Sequence, residues 1–332
     1  MISCTEFIPL YSELFSFLEK VGGYEAVLDY WNFISSRGIC TTENPNSLIS
    51  FLEWDRENPL EGAWKYWSKS LTEEACDLFR IYDPKNKRII SHMRHCPSRG
   101  MLNSLEHVTP YHDYCEHCNV IYRPALEKYG LDSRRDNSEV ANASCRSMIF
   151  EKGKDPGFVL SQLDDDSLRS EDVFVMDIKT EDNKYLHRDF HFHGDLALRY
   201  LGEHFGENGV RAVLSDYVKH FYAPQIEDAK KRGLIALREW IEGIYRVEEA
   251  LEVLSFEETE HSLTVSISES PAVSYLRSTN CEPCRYYVEQ TRTLYSTVAD
   301  CLNLSFYLDY YEDSGKTRFS FVKRTNEKEK KQ

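Results

Sequence analysis

No stretch of this chain approaches the eighteen consecutive apolar residues that a membrane-crossing helix needs. The opening MISCTEFIPLYSELF lacks the basic start and long apolar centre of a secretory signal. A positive excess is lacking too: 40 Lys and Arg stand against 55 Asp and Glu, a formal charge of −15. Without a basic face to meet phosphates, nucleic-acid binding is not expected, and the acidic balance mainly serves solubility. The motifs GxGxxG, Walker A, HExxH and GxSxG are all missing, which argues against a nucleotide cofactor and against a serine hydrolase.

Cysteine, by contrast, is plentiful. Ten cysteines without a secretory signal imply a cytoplasmic location, where thiols serve as metal ligands, nucleophiles or small core residues.

The chain also contains two versions of one long stretch. The first reads LFRIYDPKNKRIISHMRHCPSRGML, then YHDYCEHCNVIYRPALEKYG, then SCRSMIFEK. The second reads LSFEETEHSLTVSISESPAVSYL, then RYYVEQTRTLYSTVADCLNL, then KTRFSFVKR. Pro97 falls on Pro271, Leu102 on Leu276, Tyr122 on Tyr295 and Arg146 on Arg318. Such a match implies an internal duplication, with copy 1 at 1–152, a linker with a possible strand (VFVMDI) at 153–190, copy 2 at 191–324 and a disordered tail at 325–332.

Each copy reads as helices, a hairpin, a helix and a closing strand, an α+β fold with helices packed on a small antiparallel sheet. In copy 1 the spacing predicts helices over 6–20 and 24–35 with a break at Gly22-Gly23, a hairpin over 79–93 and a loop through Pro97. A helix over 110–129 and a closing strand over 145–150 follow. Residues 40–59 are an insertion relative to copy 2.

A residue present in only one copy is a candidate for function. Cys96, Cys115, Cys118 and Cys145 align with Ser270, Val288, Thr291 and Thr317, and His95 and His112 with Glu269 and Arg285. On a helix over 110–129, Tyr111, His112, Cys115, Cys118 and Tyr122 share a face. Two chemistries fit. Cys96, His112, Cys115 and Cys118 are a thiolate and imidazole set suited to zinc or another divalent transition metal. Alternatively Cys96 is a nucleophile deprotonated by His95 or His112. The plain alternative is that these thiols are buried core residues.

A second candidate metal set is His187, His191 and His193 in HRDFHFHGD. His191 and His193 would share a face on a strand, and Asp189 or Asp195 could orient one of them. Cys281 and Cys284 form a CxxC ahead of a helix, whose N-terminus would lower a thiol pKa. They suit a redox or ligand pair, or a loop pair without function. Arg99 and Arg146 could clamp a carboxylate, with Tyr111 beside them; Arg146 recurs as Arg318, which reads as structural, whereas Arg99 aligns with Val273 and is the better candidate.

On HMRHCPSRGML, YCEHCNVIYRPALEKYG, SCRSMIF and TRFSFVKR, each copy resembles the L-2-amino-thiazoline-4-carboxylic acid hydrolase family. It is also similar to 4-vinyl reductase-type small-molecule-binding domains. The first resemblance implies hydrolytic opening of a cyclic amidine that bears a carboxylate. Cys96 or a metal-bound hydroxide would attack, His95 or His112 would shuttle the proton, and Arg99 would hold the carboxylate. The sequence thus leads to a hydrolase of small carbon–nitrogen substrates with its site in copy 1. The alternatives are a non-catalytic small-molecule or metal sensor, and a metal-dependent oxidoreductase built on His187, His191 and His193. The expected partner is a small molecule, not nucleic acid or membrane, and a homo-oligomer fits equally well.

Overall fold

The computed structural model describes residues 1–324; the expectation of a disordered tail at 325–332 lies outside the described residues. The fold is α+β, and no helix among the described residues is long and apolar enough to cross a membrane. The chain divides into two compact units. Leu14–Asp189 form the N-terminal unit, and Met1–Glu13 with the chain from Phe190 onward form the C-terminal unit.

The first helix, α1 (Phe7–Ile34), carries the expected break at Gly23, whose φ of 71° and ψ of −174° suit a residue without Cβ. α2 (Leu48–Trp54) starts on Ser47, whose side chain accepts from the Ser50 amide, and α3 (Pro59–Thr72) starts on a proline, which needs no N–H there. Strands β1 (Asp77–Asp83) and β2 (Arg88–His95) form the expected hairpin. The stretch after it is not a plain loop. Cys96 caps a short helix, α4 (Pro97–Ser104), its thiol accepting from the Arg99 amide.

The helix expected over 110–129 is shorter, as α5 (His117–Lys128), preceded by a tight turn at Tyr114–Glu116. Tyr111 is drawn out of helical register because its ring is buried edge-on against Phe15. Strands β3 (Leu131–Asp136) and β4 (Cys145–Glu151) follow. Sequence reading found β4 but not β3, whose LDSRRD has neither alternation nor β-branched residues.

Residues 153–189, expected as a linker, belong to the N-terminal unit. β5 (Phe174–Ile178) pairs antiparallel with β1, which gives the sheet order β3-β4-β2-β1-β5. Ahead of it, Phe158, Leu163, Leu168 and Val173 pack on Phe79, Ile81, Ile90, Met148 and Phe150, covering one sheet face. That cover explains why β1 is buried almost throughout rather than at alternate residues.

The C-terminal unit holds α6 (Phe190–Phe221), broken at Gly206 as α1 is at Gly23, then α7 (Ala223–Arg232) and α8 (Leu234–Val247). β6 (Leu254–Glu258), β7 (Ser262–Ile267), α9 (Pro271–Ser278), α10 (Glu289–Cys301), β8 (Leu304–Tyr311) and β9 (Thr317–Lys323) complete it. Its sheet order β6-β7-β9-β8 is that of β1-β2-β4-β3. β7 alternates buried and half-buried residues, as expected of a sheet packed on one face only. The helix caps also correspond: Ser270 accepts from the Val273 amide as Cys96 accepts from that of Arg99.

One inward residue of β1 breaks the apolar pattern. Arg80 is 1% exposed and makes no ion pair among the described residues. Nη1 donates to the Trp64 carbonyl (3.2 Å), Nε to Ser91 Oγ (3.0 Å), and the guanidinium lies over the Trp64 ring at 4.9 Å. Burial alone lowers its pKa. Its worth is therefore packing and stacking rather than charge. Arg80→Ala is expected to cost about 3 kcal/mol in urea unfolding through the cavity it leaves. Arg80→Met, which keeps the volume and removes a desolvated charge, should stay within about 1 kcal/mol of the parent. Equal losses for both would show that the charge matters.

Candidate functional site

In the N-terminal unit the helix–sheet interior collects an unusual set of side chains. α5 contributes His117, Cys118 and, one turn on, Tyr122. β3 contributes Arg135 and β4 Cys145; Cys96 comes from the cap of α4, and Glu74 from the turn that follows α3.

His117 and Cys118 form the reactive core of this set. Cys118 Sγ lies 3.5 Å from His117 Nε2. On its other side the ring donates Nδ1–H to the Tyr114 carbonyl, which leaves Nε2 as the nitrogen able to take the thiol proton. Burial disfavours the Cys118 thiolate, but the charges of His117 and Arg135 outweigh it and lower the thiol pKa to about 7. Burial likewise opposes the His117 cation, and the Cys118 charge with the two hydrogen bonds raises its pKa nevertheless. Both shifts favour a thiolate–imidazolium pair, the form in which cysteine attacks carbon or oxygen.

Arg135 donates Nη1–H to Cys145 Sγ at 3.4 Å, its charge reaches Cys118, and it has no carboxylate partner among the described residues. Glu74 is moved the other way: burial raises its pKa, with the cations of His187 and His117 opposing. A lowered thiol and a raised carboxyl in one interior are the pattern of a nucleophile and an acid. The hydroxyls of Tyr66 and Tyr122 are hydrogen-bonded beside them, and burial raises both.

The structure redistributes the residues expected from sequence. Cys96, expected as nucleophile, is a helix cap, and burial raises its thiol well above the usual range. His95 is exposed at the end of β2, its ring against Gly100, where an added Cβ would stand 2.3 Å from Nε2. His112 is exposed as well; it lies ahead of α5 and pairs with Glu19 (3.0 Å), which raises its pKa. Neither histidine is bonded to Cys96. Tyr111 is a core anchor whose hydroxyl donates to Glu19, and Arg146 reaches Glu139 at 3.7 Å. Arg99 remains beside the site: its charge acts on Cys115, and its buried Nε has no hydrogen bond. Cys115 and Cys145 are both raised by burial, Cys115 to about 12.

Cys96 can be tested as a cap. Cys96→Ser should hold stability, while Cys96→Ala should cost about 1 kcal/mol in chemical unfolding. Neither should slow alkylation of the reactive thiol, and a tenfold slowing would restore Cys96 as the nucleophile.

The histidine-rich stretch is divided. His187 belongs to the N-terminal unit, where Nδ1 meets Glu73 Oε2 at 2.9 Å. His191 and His193 belong to the C-terminal unit and lie on α6, not on a strand. Two residues apart on a helix they point about 200° from one another, so no shared face forms. His191 Nε2 is instead bonded to Glu248 Oε2 at 3.1 Å. Among the described residues no three His, Cys, Asp or Glu side chains come together to hold a metal ion. The residues therefore do not fit the expected zinc site, and no step below uses a metal. The CxxC pair is also unlike its expectation: burial and Asp195 raise the Cys284 thiol, and its amide donates to Asp195 Oδ1 at 2.6 Å.

At the matching places the C-terminal unit has Gln290, Thr291, Ser270, Thr317 and Leu308 for His117, Cys118, Cys96, Cys145 and Arg135. This interior is filled by the unit's own first residues. Ile2 N–H donates to Gln290 Oε1 (3.3 Å), Cys4 N–H to Glu248 Oε1 (2.6 Å) and Ser270 Oγ to Met1 Sδ (3.7 Å). Met1 shares one small cavity with Ser270, Gln290, Thr291 and Thr317. In the N-terminal unit the segment ahead of α6 meets Glu73 through Leu186 and His187, but Lys184 is exposed and Tyr185 and Leu186 are half-buried.

His117 and Arg135 escaped sequence reading, although the comparison of copies that singled out Cys118 also sets His117 on Gln290. Comparison of the chain with protein-family models, with curated proteins and with solved structures gives no match in any of the three.

Proposed function

We propose that the N-terminal unit is a thiol hydrolase of small carbon–nitrogen substrates, with cyclic amidines that carry a carboxylate as the first class to test. The observation that carries this reading is the Cys118–His117 contact at 3.5 Å, with the far nitrogen of the ring fixed on a backbone carbonyl. Cys118 sulfur would bond to the amidine carbon while His117 passes the proton to the ring nitrogen. The carbon–nitrogen bond then breaks, Glu74 stands as a second proton donor, and water deprotonated by His117 releases the product from sulfur. Arg135 and Arg99 supply positive charge for the carboxylate. The repeated strand order, the matched helix caps and the matched helix breaks support descent of the two units from one duplicated domain.

The test is turnover of a carboxylated five-membered cyclic amidine, followed by loss of ring absorbance. The parent chain should turn over, and Cys118→Ser should fall by about 10³-fold or more, since hydroxyl replaces an ionised thiol. Turnover unchanged in Cys118→Ser would end the proposal.

A second reading, small-molecule binding without catalysis, is favoured by one observation in the C-terminal unit. A cleft of about 490 Å³ is lined there by Arg277, Arg285, Arg292, Tyr287 and Tyr310. That volume suits a small ligand; Arg277 and Arg292 pair with Glu282 and Glu289, which leaves Arg285 as the cation for an acid.

A further inference from the structure

Beyond one nucleophile, the N-terminal unit holds a set of thiols around a cation, and hydrolysis uses only Cys118. Cys118 and Cys145 lie within electrostatic reach of each other, and both act on Cys96 and Cys115. Arg135 binds Cys145 directly and also acts on Cys118. Neither Cys118 nor Cys145 is in a disulfide, and both are half-buried. The C-terminal unit has Thr291 and Thr317 at these places, so the fold itself does not require sulfur there.

We infer that Cys118 is a hydroperoxide-reactive thiol and that Cys145 resolves it to an intramolecular disulfide. The inference rests on the Cys118 thiolate invoked for hydrolysis but not on any hydrolytic activity. In the first step the Cys118 sulfur attacks one peroxide oxygen. An S–O bond forms, the O–O bond breaks, and the leaving hydroxide or alkoxide takes the His117 proton. Sulfur loses two electrons and the peroxide gains them, giving sulfenic acid and water or an alcohol. Arg135 stabilises the negative charge that builds on the departing oxygen. In the second step the Cys145 sulfur attacks the sulfenic sulfur, an S–S bond forms, the S–O bond breaks, and the Cys145 proton leaves with hydroxide as water. An added dithiol reductant returns both thiols.

The experiment treats the reduced full-length chain with hydrogen peroxide at neutral pH and follows intact mass and peptide maps, with dimedone present in parallel. The parent is expected to lose 2 Da by forming a Cys118–Cys145 link (two hydrogens). Cys145→Ser should instead accumulate dimedone on Cys118, and Arg135→Leu should slow the first step about tenfold or more. Dimedone on a cysteine other than Cys118, or a link that omits Cys145, overturns the proposal. So does a peroxide rate unchanged in Cys118→Ser. The parent chain alone assigns the reactive and resolving sulfurs, so a variant that fails to fold does not remove the test. Peroxide reduction without amidine turnover would defeat only the hydrolase reading, and turnover without peroxide reaction would defeat only this one.

Discussion

Alkylation of the native chain by iodoacetamide is expected to show one fast thiol, Cys118, whose rate rises with pH around a midpoint of about 7. An unperturbed cysteine would give a midpoint of about 8.5. Two opposing effects set the midpoint. Burial withholds water from the thiolate, while the imidazolium of His117 and the guanidinium of Arg135 supply compensating charge. His117→Ala removes one of these and leaves burial in place, so the midpoint should move above 8.5 and the rate at pH 7 should fall about 15-fold or more. In turnover the same variant should lose about 10²–10⁴-fold, because the general base goes with the cation. Arg135→Leu should raise the midpoint less and leave the base in place. A midpoint unmoved in His117→Ala would mean that the 3.5 Å contact does not hold the thiolate and would remove the basis of the proposed mechanism.

Much of the fold was legible because it rests on local signals. The break at Gly23, the hairpin of β1 and β2, and the strand β4 are set by a residue that can reach positive φ, by a four-residue turn and by the short apolar run Met148–Phe150. What escaped depends on partners far along the chain. Polar β3 is a strand because β4 offers it a ladder of backbone groups, a reason that LDSRRD does not contain. The 153–189 segment reads as a linker because it is acidic. Yet its scattered Phe158, Leu163, Leu168 and Val173 are spaced to cover a sheet face that would otherwise be bare.

The site was half legible for a related reason. Comparing the two stretches finds which residues differ, and it singles out the cysteines of the first. It does not find which sulfur is ionised. Cys96 and Cys118 look alike as letters, but one thiol accepts a backbone amide at a helix start and the other faces an imidazole. A helix over 110–129 would put His112 on one face with Cys115 and Cys118 and leave His117 off it. Burial of the Tyr111 ring, a tertiary effect, delays that helix and leaves His117 at its first position.

Glu248→Ala is expected to be the most damaging single change in the C-terminal unit, at about 3–5 kcal/mol in equilibrium unfolding, the range for removing one partner of a buried ion pair. The Glu248 side chain is fully buried; one oxygen meets His191 Nε2 at 3.1 Å and the other accepts Cys4 N–H at 2.6 Å. Its loss would take away the acceptor of the Cys4 amide and the carboxylate at His191 Nε2, and loosen the Met1–Cys4 segment that fills the interior. Burial works against its charge, but His191 and these hydrogen bonds outweigh it and lower the carboxyl pKa below the ordinary 4.5. A lowered carboxyl pKa contributes stability that is present above pH 4.5 and fades as pH falls through the folded-state value. The difference in stability between parent and Glu248→Ala should therefore be largest near neutrality and narrow below pH 4.5. Glu248→Gln keeps an acceptor for the Cys4 amide and should lose about half as much, which separates the hydrogen bond from the charge. A constant difference between parent and Glu248→Ala from pH 7 to pH 3 would show that the side chain acts by filling space, and the ion pair with His191 would then carry none of the stability assigned to it.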